Sequence, residues 1–195
     1  MAGGGEILLD GRKITKKNIS SLSFATCEHS FFQNLTAKEH EEFYRMQFPG
    51  FREIRYRGLV DFFALPEKKP LRTFSVGQQN QFEVIMVLCQ GADYILVDEP
   101  FSGNDILNWE DFYKVLLGIL EPEETVLLST HLVEEVEPFI SRAMLLHKGE
   151  LVKDVSIMDL EESGQTLLGM LKETYQYRAD RVLKALNSMG QSEEI

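Results

Sequence analysis

The stretch that decides the fold is Tyr94-Ile95-Leu96-Val97-Asp98-Glu99-Pro100, a short apolar run followed by two adjacent carboxylates. A continuous β-favouring run is typical of a strand buried on both faces of a parallel sheet. Ligands of such sheets bind beyond the carboxyl ends of the strands. Phosphoryl transfer needs one carboxylate that holds Mg²⁺ and a second group that orients the attacking water. Asp98 suits the first task and Glu99 the second; a buried strand that meets a solvated loop explains the same residues equally well.

Strands and helices alternate around this stretch. Further strands are predicted at Ile19 to Ala25, Thr125 to Ser129, Ala143 to His147 and Glu150 to Val155. Helices are predicted at about Thr36 to Met46, Arg52 to Leu65, from Val76 onward, Asn108 to Leu120, and Leu132 to Ser141. Asp10-Gly11 and Lys148-Gly149 predict hairpin turns. This alternation predicts a doubly wound α/β sheet.

Composition narrows the class of protein. With 195 residues, 44% of them hydrophobic, the chain can bury one sizeable core. A formal charge of -11 excludes a chain-wide attraction to nucleic acid or anionic lipid. Cys27 and Cys89 lack zinc-site spacing and are interpreted as reduced thiols. No secretory signal and no apolar run of about 20 residues is present, so we expect a cytoplasmic chain that reaches a membrane only through a partner.

Three other segments carry candidate chemistry. Phe74-Ser75-Val76-Gly77-Gln78 opens a helix, where free amides and the macrodipole favour an anion; an ordinary Ser N-cap is the simpler interpretation. Ser102-Gly103-Asn104-Asp105 follows the two carboxylates. Ser129-Thr130-His131 ends the next strand, and a lone histidine there is more often structural. Parallel pairing can nevertheless bring His131 to the same sheet edge as the carboxylates.

In order and spacing, these segments resemble the motifs of the nucleotide-binding domains of ABC transporters. The matching motifs are the signature (Phe74 to Gln78), Walker B (Ile95 to Glu99), the D-loop (Ser102 to Asp105) and the switch histidine (His131). The resemblance covers about residues 3 to 155. It implies a P-loop NTPase-like parallel sheet flanked by helices, in a partial ABC ATPase domain of residues 1–157 with a helical subdomain at about 36–90. Residues 158–195 are then a C-terminal amphipathic helical tail.

The resemblance also implies cofactors, roles and partners. The cofactors are ATP and Mg²⁺, with Asp98 as the metal ligand, Glu99 as the general base and His131 at the γ-phosphate. Ser75, Gly77 and Gln78 would contact the γ-phosphate held by an opposing subunit, and Asp105 would couple the two sites. The implied partners are a second ABC ATPase subunit, in a homo- or heterodimer, and a transmembrane permease subunit at the inner face of the cell membrane.

The sequence departs from the family pattern in several places. The P-loop pattern GxxGxGK, followed by Ser or Thr, does not occur in these residues, and no Lys follows Gly3-Gly4-Gly5. Because that loop holds the β- and γ-phosphates, we expect an N-terminally truncated domain without the early strands and the P-loop helix. We expect no tight ATP binding by this chain alone. Val76 replaces the second glycine of the signature, and Cys27-Glu28 replaces the glutamine of the Q-loop.

Three functions remain open at this point. The first is the ATP-binding and ATP-hydrolysing subunit of a transporter. The second is a catalytically dead or regulatory ABC-like partner; the presence of Asp98, Glu99 and His131 argues against it. The third is the C-terminal lobe of a split ATPase head of the chromosome-maintenance kind, which long heptad runs would precede. A generic hydrolase is excluded for want of a GxSxG elbow or a His/Cys metal cluster.

Overall fold

The secondary structure follows the predicted alternation. The computed structural model describes residues 4–26, 29, 31–100 and 109–175, and the chain divides into units Met1–His131 and Leu132–Ile195. The first unit contains β1 (Leu8–Leu9), β2 (Arg12–Lys13), β3 (Leu22–Ala25), α1 (Ala37–Gln47), α2 (Glu53–Phe62), α3 (Val76–Cys89), β4 (Tyr94–Asp98), α4 (Trp109–Ile119) and β5 (Thr125–Ser129). The second contains α5 (Val133–Val136), β6 (Arg142–His147), β7 (Glu150–Ser156), α6 (Ile157–Glu162) and α7 (Leu167–Thr174). The boundary expected between residues 157 and 158 stays a prediction.

A parallel sheet of order β3-β4-β5 forms the centre of the first unit. The apolar run is its middle strand, but burial on both faces is not complete: Ile95 and Val97 are buried, whereas Tyr94 and Leu96 are only half-buried. Asp98 pairs in register with Ser129 at the carboxyl edge. The strand predicted from Ile19 begins only at Leu22, because Ile19–Ser21 forms a 3-10 turn. The parallel sheet with flanking helices is therefore confirmed, and its carboxyl edge is where the candidate site lies.

Helix α3 packs against β3 and β4. Ile95 and Val97 of β4 and Ala25 of β3 are buried, whereas Phe24 of β3 is 56% exposed. All residues of α3 from Phe82 to Cys89 are buried, more than the single apolar face that the sequence predicts. A helix buried on all sides is held in place by core packing. The packing of α3 therefore determines which polar residues of this helix can face the carboxyl edge of the sheet.

The helical region that includes α1 and α2 makes close backbone contacts with the end of α3 and with the turn that leads into β4. The capping box predicted at the start of α1 is present, because Thr36 and Glu39 each accept a hydrogen bond from the other's amide. After α1, Gly50 contacts Gly91, whose φ is +86°, so closely that a Cβ on Gly91 would lie 2.2 Å from the Gly50 oxygen. The Arg52 amide donates to the Cys89 oxygen at 2.8 Å.

A buried ion pair makes the second connection of this region to the core. The Arg55 guanidinium donates to both carboxylate oxygens of Glu124 at 2.9 Å. It also donates to the backbone oxygens of Leu88, at 2.8 Å, and Ile119. The side chains of Arg55 and Glu124 are only 6% and 1% exposed. Helix α2 is therefore tied to the end of α3 and to the loop that precedes β5.

In the second unit, the last two predicted strands pair with each other as an antiparallel hairpin. Lys148 and Gly149 form its turn, both with positive φ, as the dipeptide predicts. The predicted helix Leu132 to Ser141 was too long: α5 ends at Val136, and a 3-10 turn follows because Pro138 lacks an amide hydrogen. Among the described residues, no helix is long and apolar enough to cross a membrane.

Candidate functional site

Two strand ends build the candidate site at the carboxyl edge of the sheet. β4 ends at Asp98, and β5 ends at the paired residue Ser129. The Ser129 hydroxyl donates to the Oδ1 atom of Asp98. Because this contact joins adjacent strands, it orients the Asp98 carboxylate at the exposed end of β4. The register of the two strands therefore determines where this carboxylate lies.

Glu99 directly follows the strand in a left-handed conformation. Its φ is 44°, a region that costs a residue other than glycine about 1–3 kcal/mol. The Glu99 amide donates to the backbone oxygen of Ser129 at 3.0 Å, which extends the strand pairing by one bond. The cost is thus offset by neighbouring structure, and the turn gives Glu99 a direction different from that of the β4 residues.

Glu99 meets the predicted histidine. The Nδ1 atom of His131 lies 2.9 Å from one carboxylate oxygen of Glu99 and 3.0 Å from the other. An ionised carboxylate only accepts hydrogen bonds, so Nδ1 carries a proton in this contact. The His131 side chain is 71% exposed and that of Glu99 is 35% exposed. The structure thus brings together Asp98, Glu99 and His131; the roles assigned to them stay predictions.

The signature residues lie at the start of α3. Ser75 is the N-cap: its hydroxyl accepts from the Gln78 amide at 3.2 Å, and the Gln78 side chain accepts from the Ser75 amide at 3.0 Å. The simpler interpretation, an N-cap, therefore holds, and the two side chains bond to each other's backbone. Val76, in place of the expected glycine, is 66% exposed. Gly77 belongs to the same turn, and the phosphate contact expected of these residues stays a prediction.

Two expected features lie outside the described residues. One is the D-loop with Asp105, and the other is the Cys27-Glu28 pair at the Q-loop position.

Sequence reasoning missed part of the cleft beside the two carboxylates. Besides Asp98 and Glu99, its polar lining comes from Thr26 after β3 and from Asn80 and Glu83 of α3. Asn80 and Glu83 are only 6% and 4% exposed. A charged residue within the apolar run from Phe82 to Cys89 was the signal in the sequence that could have revealed Glu83. Among the described lining residues there is no Lys or Arg.

Comparison with curated proteins finds ATP-binding proteins of ABC transporters, although no protein-family model matches the chain. The ABC transporter ATP-binding protein YtrB of Bacillus subtilis is 27% identical over 177 residues, which cover 89% of this chain and 57% of YtrB. The uncharacterized ABC transporter ATP-binding protein YcbN of the same bacterium is 28% identical over 164 residues, which cover 80% of this chain and 53% of YcbN. The chain thus spans about half the length of these relatives.

Solved structures agree on the fold. The ATP-binding subunit of an ABC transporter superimposes with a TM-score of 0.71 at 20% identity, covering 89% of this chain and 75% of that subunit. A dimeric ATP-binding cassette in a post-hydrolysis state, bound to ADP and phosphate, gives a TM-score of 0.65 at 21% identity, covering 80% and 74% of the two chains. The chain has the fold of an ABC ATPase domain, and its curated relatives are ATP-binding proteins of ABC transporters.

Proposed function

We propose that this chain supplies the water-activating and metal-holding residues of the ATP-hydrolysing subunit of an ABC transporter. The observation that carries the proposal is the contact of His131 with both carboxylate oxygens of Glu99, next to Asp98. These three side chains lie at the carboxyl edge of a parallel sheet, where ligands of such sheets bind. The names of the curated relatives support the same family of reaction.

Asp98 fits a magnesium ligand. Mg²⁺ prefers carboxylate and hydroxyl oxygens and usually keeps several waters, so that the protein supplies only one or two ligands. Asp98 is an exposed carboxylate held by the Ser129 hydroxyl. Within the part of the chain that the structure describes, no group of three or more His, Cys, Asp or Glu side chains could hold a metal ion. A largely hydrated ion held by Asp98 would neutralise phosphate charge during transfer.

Glu99 has the position expected of a general base. Its carboxylate can accept a proton from a water molecule that attacks the terminal phosphorus. His131 holds this carboxylate through Nδ1, and this contact fixes the orientation of the carboxylate. We assign His131 to positioning Glu99, with a contact to the γ-phosphate as its further role.

The second part of the proposal concerns how the phosphates of ATP are bound. No GxxGxGK pattern occurs in the 195 residues, and the described cleft lining contains no Lys or Arg. We therefore propose that this chain alone neither binds ATP tightly nor hydrolyses it. Its partners are then a second ATPase subunit, which Ser75, Gly77, Gln78 and Asp105 would contact across the shared nucleotide, and a permease at the inner face of the membrane.

The test compares Glu99→Gln with the unchanged chain. Each is purified through an affinity tag together with its native partners in detergent, and Mg-ATP hydrolysis is measured. We expect Glu99→Gln to lower kcat by about 100-fold or more, the usual contribution of a general base. Glu123→Gln, an exposed acid in the loop before β5, is the matched control and should keep the unchanged rate.

Two outcomes would contradict the proposal. Equal rates for Glu99→Gln and the unchanged chain would remove Glu99 from catalysis. Calorimetry of the isolated chain with Mg-ATP should give no binding heat. A micromolar affinity would contradict the proposal that this chain alone does not bind ATP tightly, and would mean that residues of this chain bind the phosphates.

A further inference from the structure

Ser129 is hydrogen bonded to both acidic residues of the candidate site, through two different groups. Its hydroxyl donates to the Oδ1 atom of Asp98. Its backbone oxygen accepts from the Glu99 amide at 3.0 Å. The residue opposite Asp98 in the sheet is therefore bonded to the side chain of the proposed metal ligand and to the backbone of the proposed general base.

The bond of the Ser129 hydroxyl is not one that the fold requires. Ser129 and Asp98 are both exposed, and an exposed hydroxyl exchanges a protein partner for water with little change in free energy. The pairing of β4 with β5 is made by backbone groups and does not depend on this side chain. The hydroxyl should therefore contribute little to stability, and its main effect is on the direction of the Asp98 carboxylate.

An exposed aspartate carboxylate needs such a contact to keep one orientation. The χ2 torsion of aspartate has a broad distribution, so a free carboxylate at a strand end rotates readily. A hydroxyl that donates to Oδ1 selects one of these orientations. Among the described residues, none donates to the Oδ2 atom of Asp98, which leaves this oxygen available to a cation. Hydrogen bonds to a ligating side chain commonly raise the metal affinity of a site.

We propose that Ser129 is a positioning residue, whose hydroxyl holds Asp98 in the orientation that binds the divalent cation through Oδ2. This inference rests on the proposed function, since it takes Asp98 as the ligand of the cation. Ser129 acts on the cation only through Asp98. The backbone oxygen of residue 129, which holds the turn at Glu99, is present with any side chain. Substituting the side chain therefore separates the effect on the cation from the effect on Glu99.

The experiment measures Mn²⁺ binding to the full chain by electron paramagnetic resonance of the free ion, at low ionic strength. We expect Ser129→Ala to weaken the Mn²⁺ affinity about two- to threefold, the effect of one lost hydrogen bond to the ligand. Ser129→Thr keeps the hydroxyl and should restore most of the affinity. Asp98→Asn should weaken binding further than Ser129→Ala. Adding Ser129→Ala to Asp98→Asn should have no further effect, because residues that act through one contact are not additive.

Thr125→Val is the matched control, because it removes an exposed hydroxyl at the other end of the same strand, opposite Tyr94. Circular dichroism checks the fold of each variant, and Thr125→Val should bind Mn²⁺ as the unchanged chain does. Equal affinities for Ser129→Ala and Thr125→Val, with Asp98→Asn weakened, would overturn only the role of Ser129. A loss in Ser129→Ala that Ser129→Thr does not restore, or that persists in the Asp98→Asn background, would overturn it too. An unchanged affinity in Asp98→Asn, or no binding by the unchanged chain at millimolar Mn²⁺, would overturn the cation site of the proposed function as well.

Discussion

Replacing Glu124 by Gln tests how strongly the helical region is held to the sheet. Each carboxylate oxygen of Glu124 accepts a hydrogen bond from the Arg55 guanidinium at 2.9 Å, and the Nε atom of Arg52 lies 3.0 Å from the Glu124 carboxylate. The Glu124 side chain is 1% exposed and that of Arg55 is 6% exposed. The substitution keeps the shape of the side chain but leaves a buried guanidinium without its counter-charge.

The expected loss of stability follows from the burial of the ion pair between Arg55 and Glu124. Breaking a buried ion pair by neutralising one partner usually costs about 3–5 kcal/mol. Arg55 keeps the backbone oxygens of Leu88 and Ile119 as acceptors, so we expect the lower end, about 3 kcal/mol of the free energy of unfolding. Glu121→Gln is the matched control: Glu121 is 52% exposed and 3.4 Å from Arg52, and an exposed pair contributes at most about 1 kcal/mol.

The assay is urea denaturation followed by circular dichroism, at several pH values. Burial alone would raise the pKa of Glu124, but hydrogen bonds from Arg55 and the Glu121 amide hold it below its ordinary value. A carboxyl group whose pKa is lower in the folded than in the unfolded chain stabilises the fold at pH values above its unfolded pKa. This contribution to stability is lost as the pH falls. The difference between the unchanged chain and Glu124→Gln should therefore shrink as the pH falls below about 4.5. A difference within 1 kcal/mol at pH 7 would refute this reasoning.

Three further predictions concern single positions. Gly91→Ala should destabilise the chain by more than about 2 kcal/mol in urea denaturation, because the φ of Gly91 is +86° and the new Cβ would lie 2.2 Å from the Gly50 oxygen. The control is Gly118→Ala in α4, where a Cβ meets open space, and it should leave the stability unchanged or raise it. The Nε2 atom of His40 accepts a hydrogen bond from the Phe32 amide at 3.0 Å, and burial lowers the pKa of His40. Acid below about pH 6.5 should therefore destabilise the fold, and His40→Gln should remove that part of the pH dependence of the free energy of unfolding. Ser129→Ala should weaken Mn²⁺ binding at Asp98 about two- to threefold, through the loss of one hydrogen bond that orients the carboxylate.

Local patterns made much of the first unit predictable. The strand Thr125–Ser129 has the predicted bounds, and the capping box at Thr36 marks the start of α1. In the second unit, the helix predicted from Leu132 to Ser141 extends past Pro138, whereas α5 ends at Val136. These successes and this error share one cause: each depends on residues close to each other in sequence, where propensity and spacing carry the information.

Most contacts between residues that are distant in sequence could not be predicted from the sequence. Arg55 and Glu124 are 69 positions apart, and nothing in either neighbourhood indicates their pairing. The apolar spacing of Phe82, Ile85 and Cys89 predicts α3 but gives no place to Glu83, because spacing alone does not tell which charged residue faces a cleft. The meeting of Glu99 with His131 was expected only because both follow strands of one parallel sheet. Tertiary pairing, which topology determines, supplies what local patterns lack.

The geometry of the candidate site depends on the pairing of two strands more than on any single contact within it. Ser129 donates through its hydroxyl to Asp98 and accepts through its backbone oxygen from the Glu99 amide. A shift of the β4–β5 register by one residue would turn the side chain opposite Asp98 to the other face of the sheet. It would also move His131 along the edge and away from Glu99. The apolar residues of β4 and β5 that set the register therefore also position the carboxylates, so substitutions among them should change the site as well as the stability.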